Sequence, residues 1–392
     1  MEERKCLRCG NTDPEYFWND KGTWYCRRCI AFGRIDVGTR PQPPVWEKRT
    51  IHCDYHLKYP LTKAQQRTVD TVMKELKDGH DVLIYAATGA GKTELTMEAI
   101  RTYLGEGKRV GFAIARRQVV LEIAERMRSA FAGLDVKEVC EGHTDEVRAD
   151  LIVCTMHQLY RYTGCFDLLI MDEVDAFPYQ GNVMLKEIAM QACSGQLLYL
   201  TATPDETMLE DVEAGRLKMV TLFERPHRHP LIVPKLICAP AALLYVLLFR
   251  FLRQNHQAQK QTLVFVPTIA LATQLAVLFR PLFSCAALSS KSADRDEVLD
   301  QYRERKKEVL FATTVLERGV TIPDVQVAVL HGEHPVFTAA SLIQMIGRAG
   351  RNIDFPDGRG LFLCTKKTAD LRRCIRELER MNDTLCQDAG SA

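Results

Sequence analysis

Short apolar runs alternate with longer stretches of helical periodicity from about Tyr59 to about Phe223. The runs are VLIYAA (82–87), RVGFAIA (109–115), DLIVCT (150–155), DLLIMDE (167–173) and LLYLTAT (197–203). Between them, ELTMEAIRTYL and VLEIAERMRSAF carry apolar residues at the spacing of one helix face. Runs that are apolar on both faces and flanked by helices predict a parallel sheet covered on both sides. ERPHRHPLIVP (224–234) breaks the pattern with its prolines. The alternation then resumes in TLVFVP (262–267), EVLFATT (308–314), VQVAVL (325–330) and RGLFLCT (359–365). The predicted fold class is α/β: two tandem domains with parallel sheets, preceded by a small cysteine module. The boundaries are 1–37 for the module, 38–58 for a linker around the Pro-rich GTRPQPPVWEKRT, 59–228 for the first domain and 229–392 for the second. The closing CQDAGSA reads as a frayed tail.

Composition changes little. The chain is 46% hydrophobic and 26% charged, which gives ample core for a soluble protein. A net charge of +2 argues neither for nor against a nucleic-acid partner, so any basic surface is local. AALLYVLLFRFL (241–252) is about half the ~20 residues of a membrane span and contains Arg250, so it reads as a core helix. The charged start MEERKCLRCG carries no apolar signal region. Ten of the fourteen cysteines show no pairing pattern, and several sit inside apolar runs, where a thiol acts as a small hydrophobe. The expectation is a cytoplasmic protein.

The other four cysteines are organised. Cys6 and Cys9 form one close pair, Cys26 and Cys29 another, and the gap falls in the window of about fifteen to twenty residues used by structural zinc sites. Four thiolates close a tetrahedron, so Zn²⁺ here serves folding or binding and not catalysis. Tyr16, Phe17, Trp18, Trp24 and Tyr25 lie between the pairs, with Arg27 and Arg28 inside the second. Aromatics among basic groups suit stacking on single-stranded bases. Packing around the metal and docking of a partner protein are the competing readings.

Candidate chemistry sits at the ends of two runs. After VLIYAA come Thr88, Gly89, Ala90, Gly91, Lys92 and Thr93, the tail of a P-loop pattern whose first glycine is replaced by Ala86. The glycines permit a nest of inward N–H groups, and the following helix turns its positive end to the phosphates. Lys92 reaches the β- and γ-phosphates, and the Thr93 hydroxyl ligates Mg²⁺. Asp172, Glu173 and Asp175 crowd the end of another run, a costly arrangement without a cation. A second strand ending beside the loop presents Asp172 to Mg²⁺, and Glu173 polarises the attacking water. QMIGRAGR puts Arg348 and Arg351 on one helix face, where two guanidinium forks could reach a γ-phosphate.

These motifs, in this order, resemble the superfamily 2 helicase-type ATPases over about residues 59–365. Asp172-Glu173-Val174-Asp175 is a variant DEAD-type box. The resemblance implies two RecA-like domains with ATP and Mg²⁺. It implies that Gln65 reads adenine, and that Arg116, Arg117, Thr155 and Thr314 grip a nucleic-acid backbone. Thr201-Ala202-Thr203 would couple hydrolysis to movement. Gly319 lies in a second-domain motif at the nucleotide, and Arg348 and Arg351 are the arginine fingers. Within that superfamily, the extended box DEVDAFPY, LERGVTIP and the four-cysteine module resemble the ComFA family of late-competence DNA-uptake ATPases. That resemblance implies a motor at the inner face of the membrane drawing in single-stranded DNA. The implied partners are the phosphoribosyltransferase-like ComFC, DprA and the membrane uptake channel. A PriA-like replication or repair helicase stays open as an alternative. So does a zinc-dependent nucleic-acid adaptor using ATP as a switch. A P-loop phosphotransferase would not need the arginine pair.

Overall fold

The apolar runs of the first domain form parallel strands. In the computed structural model, which describes residues 4–289, 295–314, 322–352 and 354–389, seven strands make one sheet. Their spatial order is Val136–Val139, Leu151–Thr155, Val110–Ile114, Phe166–Asp172, Cys193–Thr201, Asp81–Ala86 and Leu217–Leu222. Every pairing in it is parallel. The central strands are buried along nearly their whole length, which is why they read as continuous apolar runs and not as alternating ones. Helices Met97–Gly105 and Arg117–Ala130 bury the apolar stripes seen in the sequence. Because the strands run the same way, their carboxyl ends share one edge, where ligands of open α/β sheets bind.

The chain divides into two compact units: Met1–Ala86 with Lys92–Leu222, and Ala87–Gly91 with Phe223–Ala392. The cysteine module belongs to the first. Its ribbon pairs Phe17–Asp20 antiparallel with Thr23–Cys26. Its buried residues Phe17, Cys26 and Ile35 share a core cluster with Met156 and Leu159 of the first sheet's domain.

The Pro-rich segment is not a loose linker. Trp46 lies edge-on to Tyr162 at 6.3 Å, with the Arg109 guanidinium 4.7 Å from its ring centroid. Lys48 pairs with Asp167 at 2.8 Å and Arg49 with Asp150 at 2.6 Å. Farther on, Ile51 N–H donates to the Leu104 carbonyl and His56 N–H to that of Ala130, both at 2.9 Å. Arg109, Asp150 and Asp167 stand at the amino ends of their strands, so this strap runs along the sheet edge opposite the motifs. Prolines withdraw N–H donors but leave aromatic and charged neighbours able to pack.

In the second unit six parallel strands lie in the order Lys235–Cys238, Gly360–Cys364, Val325–Leu330, Gln261–Phe265, Val309–Ala312 and Cys285–Leu288. The apolar stretch near Arg250 is helix Ala241–Gln257, which buries Leu244, Leu248, Phe251 and Leu252 in the core. Among the described residues no helix is long and apolar enough to cross a membrane. The tail is a correction to the sequence reading: helix Ala369–Ala389 continues through Cys386, and of the closing CQDAGSA residues 390–392 fall outside the described set.

Candidate active site and cysteine centre

Four motif segments leave the carboxyl edge of the first sheet. Asp81–Ala86 leads into the phosphate turn, Phe166–Asp172 into the carboxylates, Cys193–Thr201 into Thr203, and Leu151–Thr155 into the short helix Met156–Arg161. In the turn, Gly89 and Gly91 both take φ of 83°, a left-handed backbone that only glycine adopts without cost. Lys92 Nζ donates to the Ala86 carbonyl at 3.1 Å, folding the ammonium back over the turn. The helix that follows begins differently from expectation: a 3₁₀ turn, Glu94–Thr96, precedes α-helix Met97–Gly105.

The carboxylates are wired to their surroundings. Asp172 is buried, and its Oδ1 accepts from the Glu173 N–H at 2.8 Å. Burial, with the charge of Glu173 added, pushes its carboxyl up to about 7, while Lys92 pulls it back down. A buried carboxylate held so far above its ordinary range is suited to a cation, and Thr93 is buried in the same unit. The residues fit Mg²⁺ by their donor chemistry. Glu173 itself sits at φ 55°, an uncommon backbone for a side chain of its size. Asp175 is buried and accepts from both Thr201 Oγ1 (2.8 Å) and Thr203 Oγ1 (2.5 Å).

The Asp172 strand is not the neighbour of the phosphate-turn strand, because Cys193–Thr201 lies between them. That intervening strand is the one whose end carries Thr201 and Thr203, which explains how the threonines meet Asp175.

Gln65 caps its own helix, and its side-chain oxygen accepts from Thr62 N–H at 2.9 Å while the Thr62 hydroxyl caps Gln65 N–H. Thr155 is buried at its strand end. Arg116 stands at the N-cap position of helix Arg117–Ala130 without a side-chain capping bond, and Arg117 Nε donates to the Glu141 carbonyl at 2.8 Å. Thr314 is half-buried, just beyond Val309–Ala312. Gly319 lies outside the described residues.

The arginine pair is a second correction. Helix Ala339–Ile346 stops before it, and Gly347–Gly350 forms a turn ending at Gly350 with φ 60°. Arg348 is only 5% exposed whereas Arg351 is exposed, so the two do not share a helix face. The flanking glycines end the helix. Arg225 of the Pro-rich break lies outside every motif in the sequence. It is fully buried, and its guanidinium donates to the carbonyls of Thr88 (2.9 Å) and Gly350 (2.7 Å) within the second unit.

At the amino terminus the four thiols converge. Cys6, Cys9, Cys26 and Cys29 are buried, with all sulfurs within 4.8 Å of one another. Cys6 and Cys29 lie 3.7 Å apart, as do Cys9 and Cys26. Zn–S bonds of ~2.3 Å give a tetrahedron with edges of ~3.8 Å, whereas a disulfide would need ~2.05 Å. The neighbouring sulfurs of Cys29 and Cys6 and burial push the Cys9 thiol up, while the same contacts pull Cys6 down, as expected of close thiols that compete for one charge. Arg8, absent from the sequence-level site, completes the centre. Its buried guanidinium donates to Cys29 Sγ from Nε (3.3 Å) and Nη2 (3.1 Å). It also donates to the carbonyls of Cys29, Phe32 and Gly33 at 2.7, 3.0 and 2.6 Å. Phe32, on that turn, stacks on Tyr160 of helix Met156–Arg161 at 4.9 Å.

Residues 58–206 match the family described as type III restriction enzyme, res subunit, and residues 241–353 match the helicase conserved C-terminal domain. The competence protein ComFA of Bacillus subtilis (strain 168) is 31% identical, over 97% of this chain and 86% of its own length. The ComFA of Streptococcus pneumoniae (strain ATCC BAA-255 / R6) is 33% identical, over 96% and 90%. Among solved structures, S. cerevisiae Dbp5 bound to RNA and ADP BeF3 superposes with a TM-score of 0.57 at 17% identity, covering 82% of this chain and 91% of that one. Both units thus have the RecA-like helicase fold.

Proposed function

The chain belongs to the ComFA family of competence proteins and is a helicase-type ATPase of superfamily 2. On that premise we propose that it is a DNA-dependent motor that draws transforming single-stranded DNA into the cytoplasm. The observation that carries the reading is the wiring of Asp175 to Thr201 and Thr203. The loop bearing Asp172 and Glu173 is thereby fastened to a segment that has no phosphate chemistry of its own. Such a link would pass a change at the nucleotide to the Thr201–Thr203 segment, as a motor requires.

The phosphate turn and Lys92 hold the triphosphate, with N–H groups and an ammonium matched to its oxygens. Thr93 and Asp172 would hold Mg²⁺, which screens the phosphate charge when bound. Glu173 takes the proton of the attacking water. Gln65 is assigned to adenine, Gly319 to the nucleotide, and Arg348 and Arg351 to the developing γ-phosphate charge on the strength of the family resemblance. Arg116, Arg117, Thr155 and Thr314 grip DNA mainly by its backbone, which makes binding sequence-tolerant and salt-sensitive. Zn²⁺ on Cys6, Cys9, Cys26 and Cys29 holds the module's fold. The family resemblance extends the reading to ComFC, DprA and the uptake channel as partners, with the protein acting at the inner face of the membrane.

ATP turnover measured side by side with single-stranded DNA, duplex DNA and RNA tests the motor. Multiple turnovers stimulated by single-stranded DNA, and abolished by Lys92→Ala, are expected. Nucleotide binding with no DNA-stimulated turnover in the wild type would replace the motor by an ATP-switched adaptor.

A further inference from the structure

Phe17 and Cys26 are paired across the module's ribbon and buried, and Trp24 packs against the same core. The ribbon's other face is not needed for packing. Side chains alternate along a strand, and Trp18 pairs with Tyr25, so both point outward. Tyr16 precedes the first strand and continues its pairing, its carbonyl accepting the Arg27 N–H at 2.7 Å. Trp18 is 55% exposed and Tyr16 42%.

Each outward ring carries a guanidinium. Arg27 lies 5.6 Å from the Trp18 centroid, Arg28 5.5 Å from that of Tyr16, and Arg34 4.5 Å from that of Tyr25. Arg34 is neutralised by Asp20 and Asp36. Arg28 donates to the Asn11 side chain at 3.0 Å, and neither it nor Arg27 forms an ion pair among the described residues.

From this arrangement we infer that the outward face of the ribbon is a single-stranded DNA surface, with bases stacking on Trp18 and Tyr16 and phosphates meeting Arg27 and Arg28. The inference rests on the single-strand reading above and names a second contact for the same strand. A docked protein fits less well. Its rings are interleaved with charge, and two guanidinium groups there lack a carboxylate among the described residues. A polyanion with flat bases supplies both missing partners. The module is also packed on the segment following Thr155 through the Phe32–Tyr160 stack, so both surfaces ride on one unit.

The test uses the full-length, zinc-loaded protein, fluorescein-labelled oligothymidylate and anisotropy at several salt concentrations. Trp18→Ala should weaken binding about five- to a hundred-fold, the value of one lost base stack. Arg27→Gln should lower the salt slope by about 0.7, one phosphate contact on a single strand. Zinc content should equal wild type in both, and kcat at saturating DNA should be retained while half-stimulation moves to higher DNA concentration. Unchanged affinity and salt slope in zinc-loaded variants, with the wild type binding normally, overturns the surface but leaves the motor standing. If that result came with lost transformation in cells, the face would belong to a protein partner. A wild type that does not bind the oligonucleotide overturns both readings.

Discussion

The Thr203 hydroxyl donates to Asp175 Oδ2 at 2.5 Å while its own N–H donates to Thr201 Oγ1 at 3.0 Å, so one carboxylate and two threonines close a ring between neighbouring strand ends. Asp175→Ala should cost about 1–3 kcal/mol of stability, because the buried Thr201 hydroxyl loses its acceptor. The double change Thr201→Ala with Thr203→Ala should keep hydrolysis but raise the ATP consumed per nucleotide translocated by about five-fold or more. Counting phosphate released against strand displaced checks it. A parallel fall in both would mean that the ring only holds the metal site together.

Glu173 combines a chemical role with a costly backbone. Glu173→Gln should bind ATP normally and hydrolyse it about 10²–10⁴-fold more slowly, since the proton acceptor is gone and Asp172 remains. Glu173→Gly should be equally inactive yet no less heat-stable than wild type. Glycine removes a left-handed-backbone cost of about 1 kcal/mol at φ 55°. Thermal melting of the three proteins decides this, and a large drop for Glu173→Gly would place the side chain in the fold and not in the chemistry.

Arg351 is exposed, so truncating it leaves the second unit's core intact. Arg351→Ala should lower kcat by about 10³-fold or more with nucleotide affinity retained, because such arginines act on charge that develops in the transition state. Single-turnover hydrolysis alongside equilibrium nucleotide binding separates the two. An unchanged kcat removes Arg351 from catalysis. The same change at buried Arg348 tests folding before it tests chemistry.

Arg8 offsets charge inside the cysteine centre. Arg8→Gln should lower zinc affinity about 10–100-fold, in line with other residues that bond to metal ligands. Transfer of zinc to a chromogenic chelator should speed up accordingly, with ATP turnover untouched at short times. Equal transfer rates would reduce Arg8 to a packing residue.

Much of the fold is written in the apolar runs, and what escaped has a shared cause. The strands that no run announced in the two sheets are Val136–Val139, Leu217–Leu222, Lys235–Cys238 and Cys285–Leu288. Each is the outermost strand of its sheet. An edge strand is buried only in part, so VKEV and KLIC carry charge where a central strand carries valine. The phosphate turn and the carboxylates were legible because their chemistry demands residue types at short spacing. Arg8, the Trp46 strap and the inward-lying Arg348 were not. Their roles depend on partners such as Cys29 and Tyr162, which are distant in sequence.

The strap has one more consequence. A free coil over residues 38–58 would let the module wander by roughly 25 Å. Fastened by Trp46, Lys48 and Arg49, it gives up that freedom when the chain folds, before any strand arrives. A DNA touching both the ribbon and the segment after Thr155 would then meet a preorganised surface, with no entropy of joint-ordering to subtract from its affinity.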